Sequence, residues 1–524
     1  MLLAVTLLAF GQDGAVLIDR NRIDRPRAPV AAPAPAPKRA KTRVAAPSGA
    51  AVTIRGIRFE GAEAPGPVAQ AAQAFLGRTA DTETLTELAA MLSNAYEKSD
   101  VALYTVAIPE QDYAEGTVRV LLTEGRIARA EVKGSAGKHR LLRARTAKMT
   151  RETPLSRATF ERQFSLIRAI PGLTVEPAFD DPGADGALTL TLTPTQKRSK
   201  ISAGFSNRGI QTLGDGQLDV KADFYGLGVD GDQLGLAASA ASDLKRYRYA
   251  SLAYQAPLTS SGLAVGLNAA YLDTRPRGTP IRGSAVLGGA TLSYPLIRSF
   301  RRAADLSVGV DAINSDNAAF GALIARERTR AARVAASYSD NGERRSLVVA
   351  ASLSQGLDIL GARVIAPFAE TRFRKANASA SAAQAIGKRT TVRVNLTGQY
   401  SGDRLPAAER YSVGGEAIGR AFDTSLITAD RGAGALGELA FRPVRGDTFG
   451  TSEFYVFADR AWIGIQGRGV PGRFDTALAS AGVGGRLRWR DKAELGLELA
   501  RVIDDPWPGY DEDWRMSVAW RLSL

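Results

Sequence analysis

The sequence predicts a β-barrel membrane protein, with a transmembrane barrel of about sixteen antiparallel strands that follows two small α+β domains. After Pro194 the chain is built from segments in which apolar side chains alternate with polar or small ones. No stretch beyond the N-terminus supplies the roughly 18–20 uncharged apolar residues that a membrane-spanning helix needs. Before Pro194, helical and strand periodicities are mixed, which indicates separate α+β domains.

The composition excludes several kinds of chemistry. The 524 residues include no cysteine and one histidine, His139. Disulfide scaffolds, zinc sites of cysteine and histidine, and thiol nucleophiles are therefore excluded. His139 lies in a basic stretch and is interpreted as a solvated surface residue. We expect no cofactor, no metal and no enzymatic activity.

The charge balance does not indicate a nucleic-acid partner. The net charge is +14, from 68 lysines and arginines against 54 acidic residues. Nucleic-acid binding requires basic residues gathered into a patch or stripe, whereas here they are spread along the chain. A barrel with a charged, hydrated interior explains part of the excess.

Three N-terminal segments precede the folded domains. Residues 1–12 begin with an apolar run whose length suits a signal-peptide core of roughly 7–15 residues, the alternative being a buried or fraying N-terminal helix. Residues 13–25 are polar and long enough for about three helical turns. Residues 26–51 are rich in proline and alanine, which predicts an extended, semi-rigid linker.

Residues 52–127 are predicted to form the first small domain. Its second helix places Leu85, Leu88, Ala89, Leu92 and Tyr96 on one face, as the 3.6-residue period requires. The order of elements is β-α-α-β-β. The elements are a strand at 52–59, helices at 67–76 and 82–96, and strands at 103–107 and 118–122.

Residues 128–196 are predicted to form a second domain of similar kind. A strand at 127–132 precedes a helix at 155–170, in which Phe160, Phe164 and Ile167 face inward. Strands at 173–179 and 188–192 close the unit. Two domains of this size are each large enough for an independent core.

The phase of the alternating segments decides between a soluble sandwich and a membrane barrel. A sandwich would have to pair every apolar face across about 325 residues without helices to cover them. A barrel in a membrane needs no such partner, because lipid covers the apolar face and closure satisfies the backbone groups. The predicted strands begin near residues 200, 217, 232, 246, 262, 285, 304, 329, 345, 365, 390, 433, 453, 478, 492 and 513.

The end of the first domain resembles a known domain type. The segment Ile108–Val118, followed by Thr123–Ile127, is similar to the end of a polypeptide-transport-associated (POTRA) domain. The resemblance implies that both α+β domains are POTRA domains. The residues of this motif are Pro109, Gln111, Gly116, Glu124 and Gly125.

Within the predicted barrel, the sequence Arg-Tyr-Ser-Val-Gly-Gly-Glu-Ala-Ile-Gly-Arg-Ala-Phe begins at Arg410. It resembles the inward-folded long loop of two-partner-secretion transporters, in the BamA-type barrel superfamily. Residues Arg410–Phe422 carry the glycine pair Gly414 and Gly415, then Arg420 and Phe422. Where the family pattern has a second glycine, this chain has Ala421. The resemblance implies that residues of about 402–432 fold into the barrel.

A second motif of the same family, Phe-x-Asp-x-Gly, reads Phe457–Ala461 here, with alanine at the last position. Asp459 shares strand parity with Phe457 and is therefore expected in the lumen. We expect Arg420 at the loop tip to clamp Asp459 through a fork of charge-assisted hydrogen bonds. Glu438 points the same way on its strand and is a second candidate acceptor.

By this resemblance the chain is an outer-membrane transporter that secretes a cognate exoprotein, of adhesin or haemolysin type, without nucleotide hydrolysis. The POTRA domains would lie in the periplasm and bind the unfolded exoprotein by strand addition. The other expected partners are outer-membrane lipid and the barrel assembly machinery. Residues 13–25 are the candidate for a short plug helix, a feature that the family often has.

Three alternatives remain at this stage. One is an assembly factor of the same superfamily, although such factors usually carry more POTRA domains than the two predicted here. Another is a passive porin or a surface-anchored binding protein, which would not need the domains between Val52 and Pro194. An enzyme is the alternative with the least support, because the sequence offers almost no set of residues that could form a catalytic site.

Overall fold

The structure is a computed structural model that describes residues 42–45, 52–134, 139–180, 186–320, 322–444, 446–468 and 472–524. The predicted signal segment (1–12), the predicted plug helix (13–25) and most of the predicted linker lie outside the described residues. The chain divides into two compact units, one formed mainly by residues up to Gln196 and the other mainly by residues from Lys197 onward.

In the described residues the first α+β domain has one sheet of four strands, in the order β1-β3-β4-β2, and two helices. Strand β2 is parallel to β4, and β3 is antiparallel to it. Strand β1 lies within the predicted linker and pairs in parallel with β3. The elements are β1 (Arg43–Val44), β2 (Gly56–Gly61), α1 (Gly66–Gln73), α2 (Thr82–Tyr96), β3 (Tyr104–Ile108) and β4 (Thr117–Glu124).

Helix α2 supplies much of the core of this domain. The side chains of Leu85, Leu88 and Leu92 are fully buried, as the helical spacing in the sequence predicts. The helix begins after Asp81, whose carboxylate accepts the backbone N–H of Thr84 at 2.7 Å. This hydrogen bond lowers the pKa of Asp81 and satisfies one of the free amides of the first turn.

The second domain contains β5 (Arg126–Val132), α3 (Arg140–Met149), α4 (Arg157–Arg168), β6 (Leu173–Phe179) and β7 (Ala187–Gln196). Its sheet has the order β5-β7-β6. Phe160, Phe164 and Ile167 on α4 are buried, as predicted. Helix α3 is absent from the sequence prediction, because its arginines interrupt the apolar stripe and Leu142 and Met149 are its only buried apolar side chains among the described residues.

The second unit is a closed antiparallel barrel to which sixteen strands of the described chain contribute. Strands β19 and β20 lie outside it, in the loop between β18 and β21. The strands are β8 (Ser199–Ser206), β9 (Gln217–Tyr225), β10 (Gln233–Ala241), β11 (Tyr247–Pro257), β12 (Ala264–Thr274), β13 (Ile281–Arg298), β14 (Arg302–Ala319), β15 (Ala322–Asn341), β16 (Arg345–Gly356), β17 (Arg374–Ala385), β18 (Thr390–Tyr400), β19 (Tyr411–Val413), β20 (Ile427–Ala429), β21 (Arg431–Phe441), β22 (Glu453–Gln466), β23 (Arg473–Trp489), β24 (Ala493–Asp504) and β25 (Trp514–Ser523).

Strand β25 closes the barrel by pairing with β8, from Ala519 with Ser206 to Ser523 with Ser202. The end of the barrel at which β8 begins and β25 ends is called the near end, and the opposite end the far end. Closure leaves no strand edge along the wall, so the backbone groups of the wall are satisfied without water. The predicted count of sixteen strands is confirmed.

Each wall strand has one apolar exposed face and one covered face. On β22, Phe454 is 65% exposed and Val456 50%, whereas Phe457 and Asp459 are each 5% exposed. On β24 the leucines at 495, 497 and 499 are likewise exposed, and Glu498 between them is buried. The apolar exterior and polar interior are those of a barrel that stands in lipid.

One strand begins later than the sequence predicts. The alternation near residue 365 is not a strand, and β17 begins only at Arg374. Residues 357–373 connect β16 to β17 at the far end, and Arg363 forms an isolated bridge with Arg328. Apolar residues in this connection, such as Ile365 and Phe368, are spaced in a way that led to the wrong prediction of a strand start.

Within the residues that the structure describes, every helix is too short or too polar to serve as a membrane span.

The orientation of the wall predicts opposite effects of arginine at two neighbouring positions of β16. Val349 is exposed on the apolar outer face, whereas Val348 faces a lumen cavity. We expect Val349→Arg to destabilise the inserted barrel by about 2–4 kcal/mol if it lies near the bilayer midplane. Heat-modifiable mobility of the membrane fraction measures the loss of folded barrel. The matched control Val348→Arg should insert normally, and equal losses would mean that the two faces are assigned wrongly.

Candidate functional site

A long loop, residues 401–430, connects β18 to β21 and folds into the barrel. Within it β19 pairs antiparallel with β20. Its apolar side chains Val413, Ile418 and Phe422 form one buried cluster with inward-facing residues of the wall such as Leu436 and Leu478. The tip of the loop therefore lies on the side of β21 to β24, whereas Ala407 and Ala408 at its base pack against β11 to β14.

The glycine pair forms a turn that other residues would strain. Gly414 and Gly415 both have φ of +104°. A Cβ atom added to Gly414 would lie 2.0 Å from the carbonyl oxygen of Asp423. The N–H of Gly414 donates to the carbonyl of Ile418, and the N–H of Gly415 donates to the carbonyl of Gly419, each at 3.1 Å. The glycines thus bring the segment that carries Arg420 back against the first leg of the loop.

Asp459 holds the loop tip through its backbone. One carboxylate oxygen accepts the N–H of Gly419 at 2.9 Å, and the other accepts the N–H of Arg420 at 3.1 Å. The Ser480 hydroxyl also donates to this carboxylate at 2.8 Å. The expected fork between the Arg420 guanidinium and Asp459 is therefore not the arrangement found. The two free amides of the turn are nearer to Asp459 and take both of its oxygens.

The guanidinium of Arg420 pairs with two other carboxylates. Its Nη1 donates to Oε2 of Glu498 at 3.0 Å and to Oε2 of Glu438 at 3.4 Å. Its Nε donates to the carbonyl of Glu416 at 3.0 Å, within the loop itself. The guanidinium carbon lies 4.7 Å from the centre of the Phe457 ring. Ion pairs and an aromatic face thus hold the side chain between β21, β22 and β24.

A network of buried carboxylates and arginines continues from this point towards the near end. Arg393 donates to Glu438 at 2.5 Å and to Glu453 at 2.7 Å, and Arg486 binds the same two carboxylates. Glu438 and Glu453 thus each have more than one arginine partner. In the part of the chain that the structure describes, no group of three or more acidic or histidine side chains could hold a metal ion.

The apolar contacts of the tip accommodate both departures from the family glycines. Phe422 is fully buried, and its ring lies 5.5 Å from that of Tyr510. Ala421 is 1% exposed and Ala461 0%, so both methyl groups are packed within the cluster. The N–H of Ala421 still donates to the Ser480 hydroxyl at 3.3 Å. The close approach of loop and wall therefore survives the two added Cβ atoms.

Glu498 is the site residue that the sequence interpretation missed. Besides Arg420, it binds Arg208 from the connection after β8, and it accepts the hydroxyl of Tyr455 at 2.8 Å. A signal was present in the sequence, because Glu498 alternates with Leu497 and Leu499 and must face the lumen if they face lipid. The same parity argument placed Glu438 correctly towards the lumen.

The lumen wall formed by β9 to β18 borders open cavities, in contrast to the filled apolar cluster beneath the loop tip. Two adjoining cavities of about 420 and 740 Å³ lie along it and share Gln255, Ser293 and Ser307. Small neutral polar side chains from many strands line them, together with the charged side chains of Asp219, Lys221, Asp223 and Asp305. The neutral polar residues include Ser239, Ser251, Asn268, Ser293, Ser307, Ser337, Ser339, Ser352, Asn377, Ser379 and Thr397.

The POTRA-motif residues brace the β3–β4 connection. The Gln111 side chain accepts the N–H of Arg119 at 2.7 Å and donates to the Arg119 carbonyl at 2.9 Å and to that of Pro109 at 3.3 Å. Gly116 has φ of +71°, and a Cβ atom there would lie 2.7 Å from the carbonyl oxygen of Thr53.

The last two motif residues end β4 and lead into β5. A Cβ atom on Gly125 would lie 2.7 Å from that of Leu103, so the chain can pass this point only without a side chain. Burial raises the pKa of the neighbouring Glu124 above its usual range. These two positions are fixed by packing at the end of the first sheet.

Comparisons with known proteins agree with this architecture. The family model described as "Haemolysin secretion/activation protein ShlB/FhaC/HecB" matches residues 187–487. The model described as "POTRA domain, ShlB-type" matches residues 52–125. A search of curated protein sequences finds no match.

Solved structures share the fold at low sequence identity. CdiB from Escherichia coli matches with a TM-score of 0.69 and 17% identity, covering 100% of this chain and 97% of its own. CdiB from Acinetobacter baumannii matches with a TM-score of 0.62 and 16% identity, covering 91% of each chain. BamA from Haemophilus ducreyi lacking POTRA domains 1–3 gives a TM-score of 0.56 and 14% identity, covering 90% of this chain and 100% of its own.

A closed barrel with an inward loop, preceded by two α+β domains of which the first matches a POTRA model, defines an outer-membrane transporter. The matched family model covers more than half of the chain. The chain therefore belongs to the haemolysin secretion/activation family, ShlB/FhaC/HecB, and is a transporter of two-partner secretion. The alternative of a barrel assembly factor has less support, because the likeness to BamA is one of fold.

Proposed function

We propose that this outer-membrane transporter holds its two POTRA domains in the periplasm, binds a cognate exoprotein there in unfolded form, and conducts it through the lumen. Lipid surrounds the apolar exterior, and the barrel assembly machinery inserts the chain. No nucleotide is needed if the exoprotein folds outside, because folding makes the passage effectively irreversible.

Binding in the periplasm is proposed to use strand addition at the first POTRA sheet. Strand β2 is an edge of that sheet, paired with β4 on one side. An extended segment can add to such an edge through backbone hydrogen bonds, which tolerate varied sequence. The Gln111 brace and the Gly116 turn support this by fixing β4, on which β2 depends.

The observation that carries the proposed route is the asymmetry of the lumen. The tip of the loop packs on β21 to β24 through an apolar cluster and ion pairs. The cavities along the opposite wall are lined mainly by small side chains and by serine, asparagine and threonine, with charged groups only at Asp219, Lys221, Asp223 and Asp305 among the lining residues described. Hydroxyl and amide groups can exchange hydrogen bonds with any backbone that passes, and they carry no charge that would hold a particular sequence. We propose that the exoprotein passes along this wall while Arg420, Asp459 and Glu438 clamp the loop.

Single cysteines test the route, since the natural chain has none. Ser307→Cys and Ser337→Cys place thiols on the polar wall. An exoprotein with one cysteine, stalled by a folded domain at its C-terminal end, is expected to form disulfides with both. Non-reducing electrophoresis of outer membranes detects the joined species.

Two control positions define the outcome. Val308→Cys lies on the outer face beside Ser307, and Ala500→Cys points inward but is fully covered in the cluster beneath the loop. Neither is expected to react with the stalled exoprotein. Reaction at Ala500→Cys equal to that at Ser307→Cys would show that the loop leaves its wall during export, and the proposed route would then be wrong.

A further inference from the structure

The base of the long loop contains a second buried ion cluster, separate from the clamp at the tip. Glu409 ends a short 3₁₀ turn in the first leg of the loop, and its side chain is fully buried. One of its carboxylate oxygens accepts Nη2 of Arg333 at 2.8 Å. The other accepts Nζ of Lys375 at 2.7 Å and Nη1 of Arg333 at 3.2 Å. The carboxylate thus receives an arginine fork from β15 and an ammonium from β17.

The cluster is balanced in charge. Arg333 also pairs with Asp311 on β14, and its Nη1 donates to the Ser354 hydroxyl at 2.8 Å. Arg333 and Lys375 are only 2% and 3% exposed. Two cations therefore face two carboxylates away from water, an arrangement in which loss of one partner leaves a costly uncompensated charge.

The same wall also binds the loop backbone, and the two legs bind each other. Nζ of Lys375 and Nε2 of Gln399 donate to the carbonyl of Glu409 at 3.2 and 3.0 Å. The carboxylate of Asp430, at the start of β21, accepts the N–H of Leu405 from the first leg at 2.8 Å. Fixing Glu409 therefore fixes both legs at the entrance to the loop.

The base and the tip are held by different strands. Glu409 is bound by β15 and β17, whereas Arg420 and its backbone amide are bound by β21, β22 and β24. Loss of the tip contacts alone would leave every contact of Glu409 in place. The loop consequently has two independent attachments inside the barrel.

We propose that Glu409 is a positioning residue that latches the first leg of the loop to β15 and β17 and keeps the loop inside the lumen independently of the clamp at Arg420. The inference rests on the proposed role of the loop in the transport lumen. Channel conductance measures the position of the loop without any exoprotein. Raised conductance with unchanged export would therefore count against the proposed function and not against the latch.

The test separates positioning from simple stabilisation. Glu409→Gln removes the carboxylate charge and leaves Lys375 uncompensated. Adding Lys375→Met restores the charge balance, because the pair of Arg333 and Asp311 remains. In planar bilayers we expect the assembled double variant to conduct several-fold more than the natural protein. A purely structural role predicts that the double variant returns to natural conductance.

A second readout follows the leg itself. Leu405 is fully buried, so Leu405→Cys in the otherwise natural chain should react slowly with a maleimide. In the double variant this cysteine is expected to react at least several-fold faster. The matched control is Glu370→Gln, which breaks a half-exposed pair with Arg404 at 2.9 Å and should change neither readout.

An assembled double variant with natural conductance and slow labelling of Leu405→Cys overturns the latch. Heat-modifiable mobility establishes assembly in each case. If neither glutamine variant assembles, Glu409→Asp carries the same test, because it keeps the charge but shortens its reach to Arg333 and Lys375. Natural conductance and slow labelling in that variant would equally overturn the proposal.

Discussion

Arg420→Ala is expected to lower secretion by about tenfold or more while the barrel still assembles, since hydrogen bonds to charged groups contribute about 1.5–3 kcal/mol each. The variant loses the pairs with Glu498 and Glu438 and the contact with the Phe457 ring. The barrel should tolerate this, because Arg393 and Arg486 still bind Glu438. The measurement is the amount of the polypeptide whose presence in the medium depends on this chain, relative to folded barrel.

Two further variants show whether the guanidinium itself matters. Arg420→Lys keeps the positive charge but cannot donate to the Glu416 carbonyl and to the two glutamates at once, so we expect intermediate secretion. Arg460→Ala is the matched control, since Arg460 lies on the same strand as Asp459 but outside the clamp, paired with Asp504 at 3.0 Å and half-exposed. If Arg420→Ala and Arg460→Ala secreted equally, the contacts of the Arg420 side chain would not be needed for secretion.

The barrel could be predicted from the sequence because each wall strand separates two environments. Phe454 and Val456 alternate with Phe457 and Asp459, and this period of two fixes both the strand and its faces. The prediction was wrong where apolar residues occur without that separation, as at Ile365. It also missed α3, because Arg140 and its neighbouring arginines hide a helix whose buried face is small.

The sequence predicted most of the residues that form the clamp, but it did not predict which of them pair with each other. Strand parity placed Glu438 and Asp459 inward, and the resemblance placed Arg420 at the loop tip. Which acceptor each donor takes depends on distances of a few tenths of an ångström between loop and wall. Asp459 takes the backbone amides and thereby leaves the guanidinium to Glu438 and Glu498. No alternation or spacing in the sequence encodes that choice.

The base of the loop left no readable signal in the sequence. Glu409 lies in a 3₁₀ turn, where no strand parity applies, and its partners come from strands tens of residues earlier. In the sequence, Arg333 and Lys375 are indistinguishable from other charged residues that face the lumen. Their convergence on one carboxylate results from the inward fold of the loop, which brings Glu409 against β15 and β17, two strands that both pair with β16.

Gly414→Ala is expected to reduce secretion as strongly as Arg420→Ala, although every charged group of the clamp remains. The backbone at Gly414 has φ of +104°, a conformation that costs other residues of order 1–3 kcal/mol. The added methyl group would also lie 2.0 Å from the carbonyl oxygen of Asp423, so the turn must open. Opening it displaces the amides of Gly419 and Arg420 from Asp459. Secretion per folded barrel is again the measurement.

Gly402→Ala is the control in the same loop, because a Cβ atom at Gly402 would meet nothing within 4 Å. It should secrete as the natural protein does. If Gly414→Ala also secreted normally while Arg420→Ala did not, the ion pairs of the guanidinium would suffice without the turn. The backbone hydrogen bonds to Asp459 would then be a consequence of the loop's position. Loss in both variants would instead mean that turn geometry and ion pairs act together, because Asp459 can receive the two amides only when the glycine turn is closed.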